Sequence, residues 1–402
     1  MKQLTAGNRV AQRASWLAAI ILALVPFHAF ITVWPASVLG HYTLLRLWKE
    51  YLLVIVAAGA VHVLITDRAL RKKLFSLRIT QLIAAYCLVI GVWSLIPLAR
   101  GNVTGKAIGY GFLVDLRFLV FFLSVTVLAA KSNVWERNWL KLLLIPATLV
   151  AAFAVLQYLV LPYDFLRHFG YGPNTIMPYE TINNSVQHIR VESTLRGANP
   201  LGAYLLVPVS LMMVMFFRQK GQRFNKIVLS FGLLLALLFS FSRSAWIGVG
   251  LAGLTVGWLS LKSGRSRKLA AWGLVALIVL GGVVAINLRN NTSFESVVLH
   301  TQHGSKALRS SNQNHVSAFK MASKDVIHQP WGRGVGTAGP QSVYNNGRSR
   351  IAENYFLQIG QEAGILGLAL FIAICIYLGK LLYEQRAAPL ALALLAALIG
   401  LT

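Results

Sequence analysis

Arg196 lies in Thr194-Leu-Arg-Gly-Ala-Asn-Pro-Leu-Gly202, where Gly197 and Pro200 break the chain just ahead of a long apolar run. Arg243 interrupts Ser240-Phe-Ser-Arg-Ser244 between two apolar runs with almost no loop, which pins its guanidinium at an interface. Arg190 is a third cation close by in sequence. A guanidinium meets phosphate with two parallel N–H donors, so three of them, two beside polar turn residues, suit a phosphate or diphosphate. Arg196 or Arg243 alone is equally consistent with an interface arginine whose stem lies along apolar surface. Glu353 stands at the start of Ala352-Glu-Asn-Tyr-Phe-Leu-Gln-Ile-Gly-Gln-Glu-Ala-Gly-Ile-Leu-Gly367, the polar beginning of an apolar helix. A carboxylate there either stabilises the helix dipole or acts as a base, and both readings stand. Gly360, Gly364 and Gly367 recur at helical spacing and are expected to allow close helix packing.

The elements that must position these residues follow from composition. The chain has 402 residues, 56% hydrophobic and 12% charged, with 38 Lys+Arg against 12 Asp+Glu for a net charge of +26. A soluble domain is about 25% charged, so this is a polytopic membrane protein. The Lys and Arg fall between long apolar runs and not on one polar face, which argues against a nucleic-acid binder. Cys87 and Cys375 both sit inside apolar runs and supply neither a disulfide framework nor a metal site.

With about 20 apolar residues needed per span, eleven runs qualify: Trp16 to Trp34, Leu44 to Ile65, Ile79 to Leu98, Gly109 to Ala130, Trp139 to Leu161, Leu201 to Phe217, Ile227 to Phe241, Ala245 to Leu261, Leu269 to Leu288, Tyr355 to Leu382 and Ala388 to Thr402. The first is expected to act as an uncleaved signal, and the last stops while still apolar, so the chain is expected to continue past Thr402. Lys and Arg concentrate in alternate loops, as at Arg68 to Arg78, Lys131 to Lys141, Arg218 to Lys226 and Lys262 to Lys268. That bias puts the N-terminus in the cytoplasm and the chemistry outside. The expected organisation is residues 1–161 as spans one to five, 162–200 as an outer loop, 201–288 as spans six to nine, 289–354 as a large outer loop, and 355–402 as spans ten and eleven. In the large loop, Asn314 to Ile327 reads as a helix and Trp331, Gly332, Gly334, Gly336 and Pro340 as turn residues. The loop is read as a lid on the membrane surface, with a solvated loop as the alternative.

Charges within the spans are functional candidates by default, because an unpaired ion in hydrocarbon is costly. At 1.5 Å per residue, Arg117 lies about 12 Å and Glu362 about 10 Å below the outer ends of their helices. A buried Arg117 to Glu362 ion pair, or Arg117 with its neighbour Asp115, is the expected arrangement, with a structural role.

Four stretches together resemble the bacterial O-antigen ligase and O-antigen polymerase superfamily of membrane glycosyltransferases. They are Leu195-Arg196-Gly-Ala-Asn199-Pro-Leu-Gly202, Ser242-Arg243-Ser244-Ala-Trp246, Gly332-Arg-Gly334-Val-Gly336-Thr, and Asn354 with Gly364 and Gly367. The resemblance covers the second half of the chain, and the first half only as hydropathy. It implies an all-α, GT-C-like fold of about 11–12 transmembrane helices with a large extracytoplasmic helical loop. It also implies a polyprenyl-diphosphate-linked glycan donor, a glycan, lipid or protein acceptor, and a bacterial cytoplasmic membrane setting. Ligases of this kind carry a histidine just ahead of the asparagine matched by Asn354, where this chain has Ala352 and Glu353.

Releasing a diphosphate requires cations, and no Asp-x-Asp pair exists here to hold a metal. Arg196, Arg243 and Arg190 are therefore the expected diphosphate ligands, Glu353 the expected base, and no cofactor is expected. Asn199, Asn354, His315 and Arg333 are the further substrate-binding candidates, while His315, His328 and Asp325 are the alternative bases. A polymerase of the same superfamily is the alternative function. A lipid-linked glycan flippase is the alternative of another class, although no internal repeat supports it. A shape-and-division-type peptidoglycan polymerase would need an outer-loop Asp, for which only Asp164 and Asp325 qualify.

Overall fold

A computed structural model describes residues 6–182, 185–218, 223–261, 264, 311–345, 350, 352 and 354–402. In chain order the helices are α1 (Ala6–Leu24), α2 (His28–Leu39), α3 (Tyr42–Leu45), α4 (Trp48–Thr66), α5 (Arg68–Ser76), α6 (Arg78–Ala99), α7 (Gly105–Ala129) and α8 (Val134–Leu159). A short antiparallel hairpin follows, β1 (Glu180–Ile182) and β2 (Ser185–Arg190), with Glu180 opposite Arg190. Then come α9 (Ala198–Arg218), α10 (Arg223–Phe239), α11 (Arg243–Ser260), α12 (Ser311–His328), α13 (Tyr355–Glu384) and α14 (Pro389–Leu401).

Among the described residues, seven helical stretches are long and apolar enough to cross a membrane: Asn8–Leu39, Tyr42–Thr66, Arg78–Ala99, Gly105–Ala129, Val134–Leu159, Ala198–Arg218 and Tyr355–Glu384. The chain is an all-α polytopic membrane protein. Of the other expected spans, α10, α11 and α14 are apolar helices of 17, 18 and 13 residues. At 1.5 Å per residue the shortest covers about 20 Å of a hydrocarbon layer about 30 Å thick. Leu269 to Leu288 lies outside the described residues, as do the cytoplasmic candidates Lys262 and Arg265 to Lys268.

The chain divides into two compact units, each discontinuous in sequence. Unit one is Met1–Ile21, Lys49–Arg137 and Ser311–Leu378; unit two is Leu22–Trp48, Asn138–Ser310 and Gly379–Thr402. In unit one, Ala11, Ala14 and Ala18 of α1 face Val56, Ala60 and Val63 of α4. A second cluster joins Ile83, Tyr86 and Ile90 of α6 to Leu119 of α7 and to Ile359 and Phe371 of α13. In unit two, Leu205, Leu206 and Val209 of α9 meet Leu233 of α10 and Ala245 of α11. Leu392, Ala393 and Ala396 of α14 pack with Leu211 of α9 and Val256 of α11. Alanines of α1 and α14 line two of these seams, because lipid is as apolar as a side chain and helices gain by close contact and not by leaving water.

Candidate active site

In unit two the β2 end docks on the turn between α10 and α11, where the Val191 N–H donates to the Phe239 carbonyl at 3.1 Å. This places Arg190 among polar groups. Its guanidinium donates to Asn199 Oδ1 at 2.6 Å and to the Ser240 carbonyl at 3.2 Å, and it lies 3.2 Å from Glu180 Oε2. Burial pushes the Arg190 pKa down; the Glu180 charge opposes that shift and the Arg243 charge adds to it. Arg190 and Arg243 are thus near enough for Arg190 to feel the Arg243 charge, which Glu180 offsets. Arg243 is the first residue of α11, after Ser242, whose N–H donates to Ser240 Oγ at 3.2 Å. Arg196 is exposed on the loop leading into α9. Arg190, Asn199 in the first turn of α9 and Arg243 come together, with Arg196 on the loop just ahead of α9.

Beneath this loop lies a group that the sequence reasoning missed. Glu192 is 1% exposed and its Oε1 has no partner among the described residues. Burial, then the charge of Glu180, pushes its pKa up to about 9. The residues that follow lock the loop. Ser193, at φ 53°, donates its N–H to Gln157 Oε1 at 2.9 Å and its hydroxyl to the Val150 carbonyl at 2.7 Å. Thr194 donates to the Pro26 carbonyl at 3.0 Å. Nothing in Val191-Glu-Ser-Thr194 carries an apolar period, so a hydropathy reading passes over it.

Unit one is organised by a break in α13. Gly364 adopts φ 70°, ψ −171° inside this helix, and a Cβ there would run into the Pro330 and Trp331 backbone. The break frees helix carbonyls, and the segment after α12 takes them up. Arg333 N–H donates to the Gln361 carbonyl and Gly334 N–H to the Glu362 carbonyl, each at 2.9 Å, while Ile365 N–H donates to the Pro330 carbonyl at 2.8 Å. The expected packing role for Gly364 is therefore replaced by a backbone one. Gly336, at φ 88°, abuts the Ala107 backbone of α7, where no side chain would fit. Gly360 keeps the expected role, since a Cβ there would meet Val326 of α12 at 2.9 Å.

The buried Glu362 fastens this segment. Its Oε1 accepts from the N–H groups of Gly336 and Ala338 at 2.8 and 3.2 Å and from Gln341 Nε2 at 3.0 Å. Asp115 is also buried and accepts from the Tyr355 hydroxyl at 3.3 Å. The expected ion pair of Arg117 with Glu362 or Asp115 is corrected: Arg117 donates to Glu50 Oε1 at 2.9 Å, and Lys49 lies 3.2 Å from the same oxygen. Asp115 and Arg117 are two residues apart on one helix and so point to different sides. Asp115 therefore reaches Tyr355 of α13 while Arg117 reaches α4.

Arg333 binds Asp325 Oδ1 at 2.7 Å and Gln329 Oε1, and Arg350 and Gln361 reach Asp325 Oδ2 at 3.1 and 2.9 Å. The expected run Asn314 to Ile327 falls within α12, which contains His315, whose side chain lies outside the described residues. Glu353 also lies outside the described residues. Asn354 is exposed and caps α13, its Oδ1 accepting from Leu357 N–H at 3.1 Å.

An all-α membrane scaffold carrying paired guanidiniums at a polar turn defines the class of protein. Residues 227–372 match the O-antigen ligase family. Over 225 residues the chain is 24% identical to an O-antigen polymerase of Salmonella muenchen, covering 55% of this chain and 54% of that protein. The match thus spans about half the length of that curated relative. No solved structure matches. Both matches are likenesses to O-antigen ligases and polymerases, one over residues 227–372 and the other over about half of the chain.

Proposed function

We propose that this chain is a membrane glycosyltransferase that moves a glycan from a polyprenyl-diphosphate carrier to an acceptor hydroxyl on the outer face of the bacterial cytoplasmic membrane. The observation that carries the reading is the pair of neighbouring guanidiniums, Arg190 and Arg243, with Asn199 in the first turn of α9 and the exposed Arg196 on the loop before it. Fixed cations of this kind neutralise the charge that develops on a departing diphosphate, and they do so without a metal ion.

In the proposed step the acceptor oxygen attacks the anomeric carbon opposite the diphosphate. The new C–O bond forms as the bond to the diphosphate oxygen breaks, and the configuration inverts. Glu353 takes the hydroxyl proton, and the carrier leaves as its diphosphate anion. A Glu base works best when burial raises it toward the operating pH. Arg333 and Asn354, with His315 on α12, are assigned to glycan contacts.

The ligase reading follows the description of the matched family, and a specific observation favours a polymerase. The relative over half the chain is an O-antigen polymerase, and Ala352-Glu353 stand where the resembled ligases carry histidine. Deleting the gene and analysing the lipid-linked glycan that accumulates tests both. A finished polymer left on the carrier is expected for a ligase, and a single repeat unit for a polymerase. No accumulation of any carrier-linked glycan on the outer face would refute the transfer reading.

A further inference from the structure

Unit one contains a cavity of about 700 Å³, of whose lining the transfer reading uses only Arg333. It opens between the C-terminal end of α6 and the segment that follows α12. Two indoles stand side by side in its wall, Trp93 and Trp331, with ring centroids 6.3 Å apart and planes tilted by 32°. Trp331 is 70% exposed. Around them are Arg100, Asn102, Arg333 and Arg350. Arg333 and Arg350 are held by Asp325. Arg100, on the turn after α6, is exposed and its guanidinium has no partner among the described residues.

The wall is rich in N–H donors and contains no carboxylate. Counting Asp325 behind it, three guanidiniums face one carboxylate, an excess of two positive charges. Indoles near a membrane interface and snorkelling arginines are common separately. A concave site that joins an open aromatic face to donors aimed into the same volume has the composition of a ligand pocket, and its size falls in the usual range of about 300–1,000 Å³.

The chemistry of the wall selects the ligand. The C–H face of a pyranose ring is apolar and fits an indole, whereas hydroxyl and acidic oxygens accept from guanidinium. A neutral sugar would leave the excess charge unmet, and a bare phosphate would leave the aromatic face empty. We propose that this cavity binds a saccharide carrying an anionic substituent, with a sugar ring on Trp331 and the anion held by Arg100. It rests on the glycan-transfer reading for the origin of that saccharide, which is the glycan being moved or the one receiving it.

The test is equilibrium binding to the full chain in lipid nanodiscs, by calorimetry and saturation-transfer NMR, with no lipid-linked donor present. The probes are trigalacturonate, mannose 6-phosphate, neutral maltotriose and inorganic pyrophosphate. At least one acidic sugar should bind, and should lose about tenfold in affinity in Arg100→Gln and again in Trp331→Ala. Trp331→Phe, which keeps an aromatic face, should retain most of the binding. An acidic sugar that binds in preference to the others identifies the substituent as carboxylate or phosphate.

Equal binding of maltotriose would overturn the anionic requirement. Pyrophosphate binding as tightly as the sugars, unaffected by Trp331→Ala, would reduce the cavity to an anion site. Absence of acidic-sugar binding at about 10 mM would overturn the proposal outright. Because no turnover is measured, that failure leaves the transfer reading standing. A chain that binds the acidic sugar but leaves no glycan accumulated when deleted would refute the transfer reading alone.

Discussion

Glu192→Gln is the perturbation with the clearest signature. The wild-type side chain is 1% exposed, its Oε1 is unpartnered among the described residues, and its charged neighbour Glu180 is an acid. The buried hydroxyl of Tyr171 feels its charge from another segment of unit two. The folded state therefore keeps the Glu192 proton up to about pH 9, against an ordinary value of 4.5. Between those two values the folded protein holds one proton more than the unfolded chain. Stability is then fullest below the unfolded pKa and is lost as pH rises toward the folded one, at about 1.4 kcal/mol per pH unit. At pH 7 the accumulated loss is about 3 kcal/mol, from 2.5 units above 4.5. Glutamine fills the same space and cannot ionise, so Glu192→Gln should remove this slope. Thermal melting in nanodiscs between pH 5 and 9, with limited proteolysis of the 170–197 loop, provides the assay. The variant should gain on the wild type steadily as pH rises, by several degrees at pH 7 and more at pH 9. Parallel pH profiles, or a variant less stable than wild type at pH 8, would refute the reasoning, because they would mean that Glu192 is ionised and satisfied.

Gly364→Ala forces a Cβ into the Pro330 and Trp331 backbone at a positive φ, and strain of this kind is about 1–3 kcal/mol before the clash is counted. Its melting temperature should fall well below that of Gly360→Ala, where the new methyl meets only side chains, those of Val326 and Leu368. Glu353→Gln should lower turnover by about 10² to 10⁴ while leaving donor binding near normal, as measured with purified lipid-linked glycan; near-normal turnover would return Glu353 to a dipole role. Arg243→Ala should weaken both donor binding and turnover, with Arg243→Lys restoring only part because a point charge lacks the bidentate fork, and transfer should persist in EDTA. Cysteine labelling of Arg265→Cys and Glu353→Cys should report opposite sides of the membrane, and labelling from one side would overturn the charge-bias topology.

The apolar runs were legible because a span needs only length and composition, and the seven long helices fall where hydropathy put them. Arg196 and Arg243 are legible in the sequence because each stands beside a turn signal, whereas Arg190 is legible only as a third cation close by, and its contact with Asn199 is seen only in the fold. Pairing inside the membrane was not. Depth along a helix can be counted from sequence, which made Arg117 and Glu362 look level, yet depth says nothing of azimuth. The two-residue offset from Asp115 sends Arg117 toward Glu50, and only the packing of α4 against α7 decides that. Gly364 was misread for a related reason. Gly360, Gly364 and Gly367 have the spacing of a packing seam, but periodicity cannot tell a glycine that lacks a side chain for a neighbour's benefit from one that needs φ 70°.

That difference bears on how the segment after α12 is held. An unbroken α13 would keep the carbonyls of Gln361 and Glu362 inside its own hydrogen-bond ladder, leaving Arg333 and Gly334 N–H groups without acceptors. The break at Gly364 releases them, and the Glu362 side chain adds three further acceptor contacts to the same segment. Arg333 is thereby fixed at both its backbone and its guanidinium, the latter through Asp325, and one wall of the Trp93 and Trp331 cavity is fixed with it. A stretch that reads in the sequence as turn residues is in the fold tied closely to its neighbours, because its glycines serve close backbone contact.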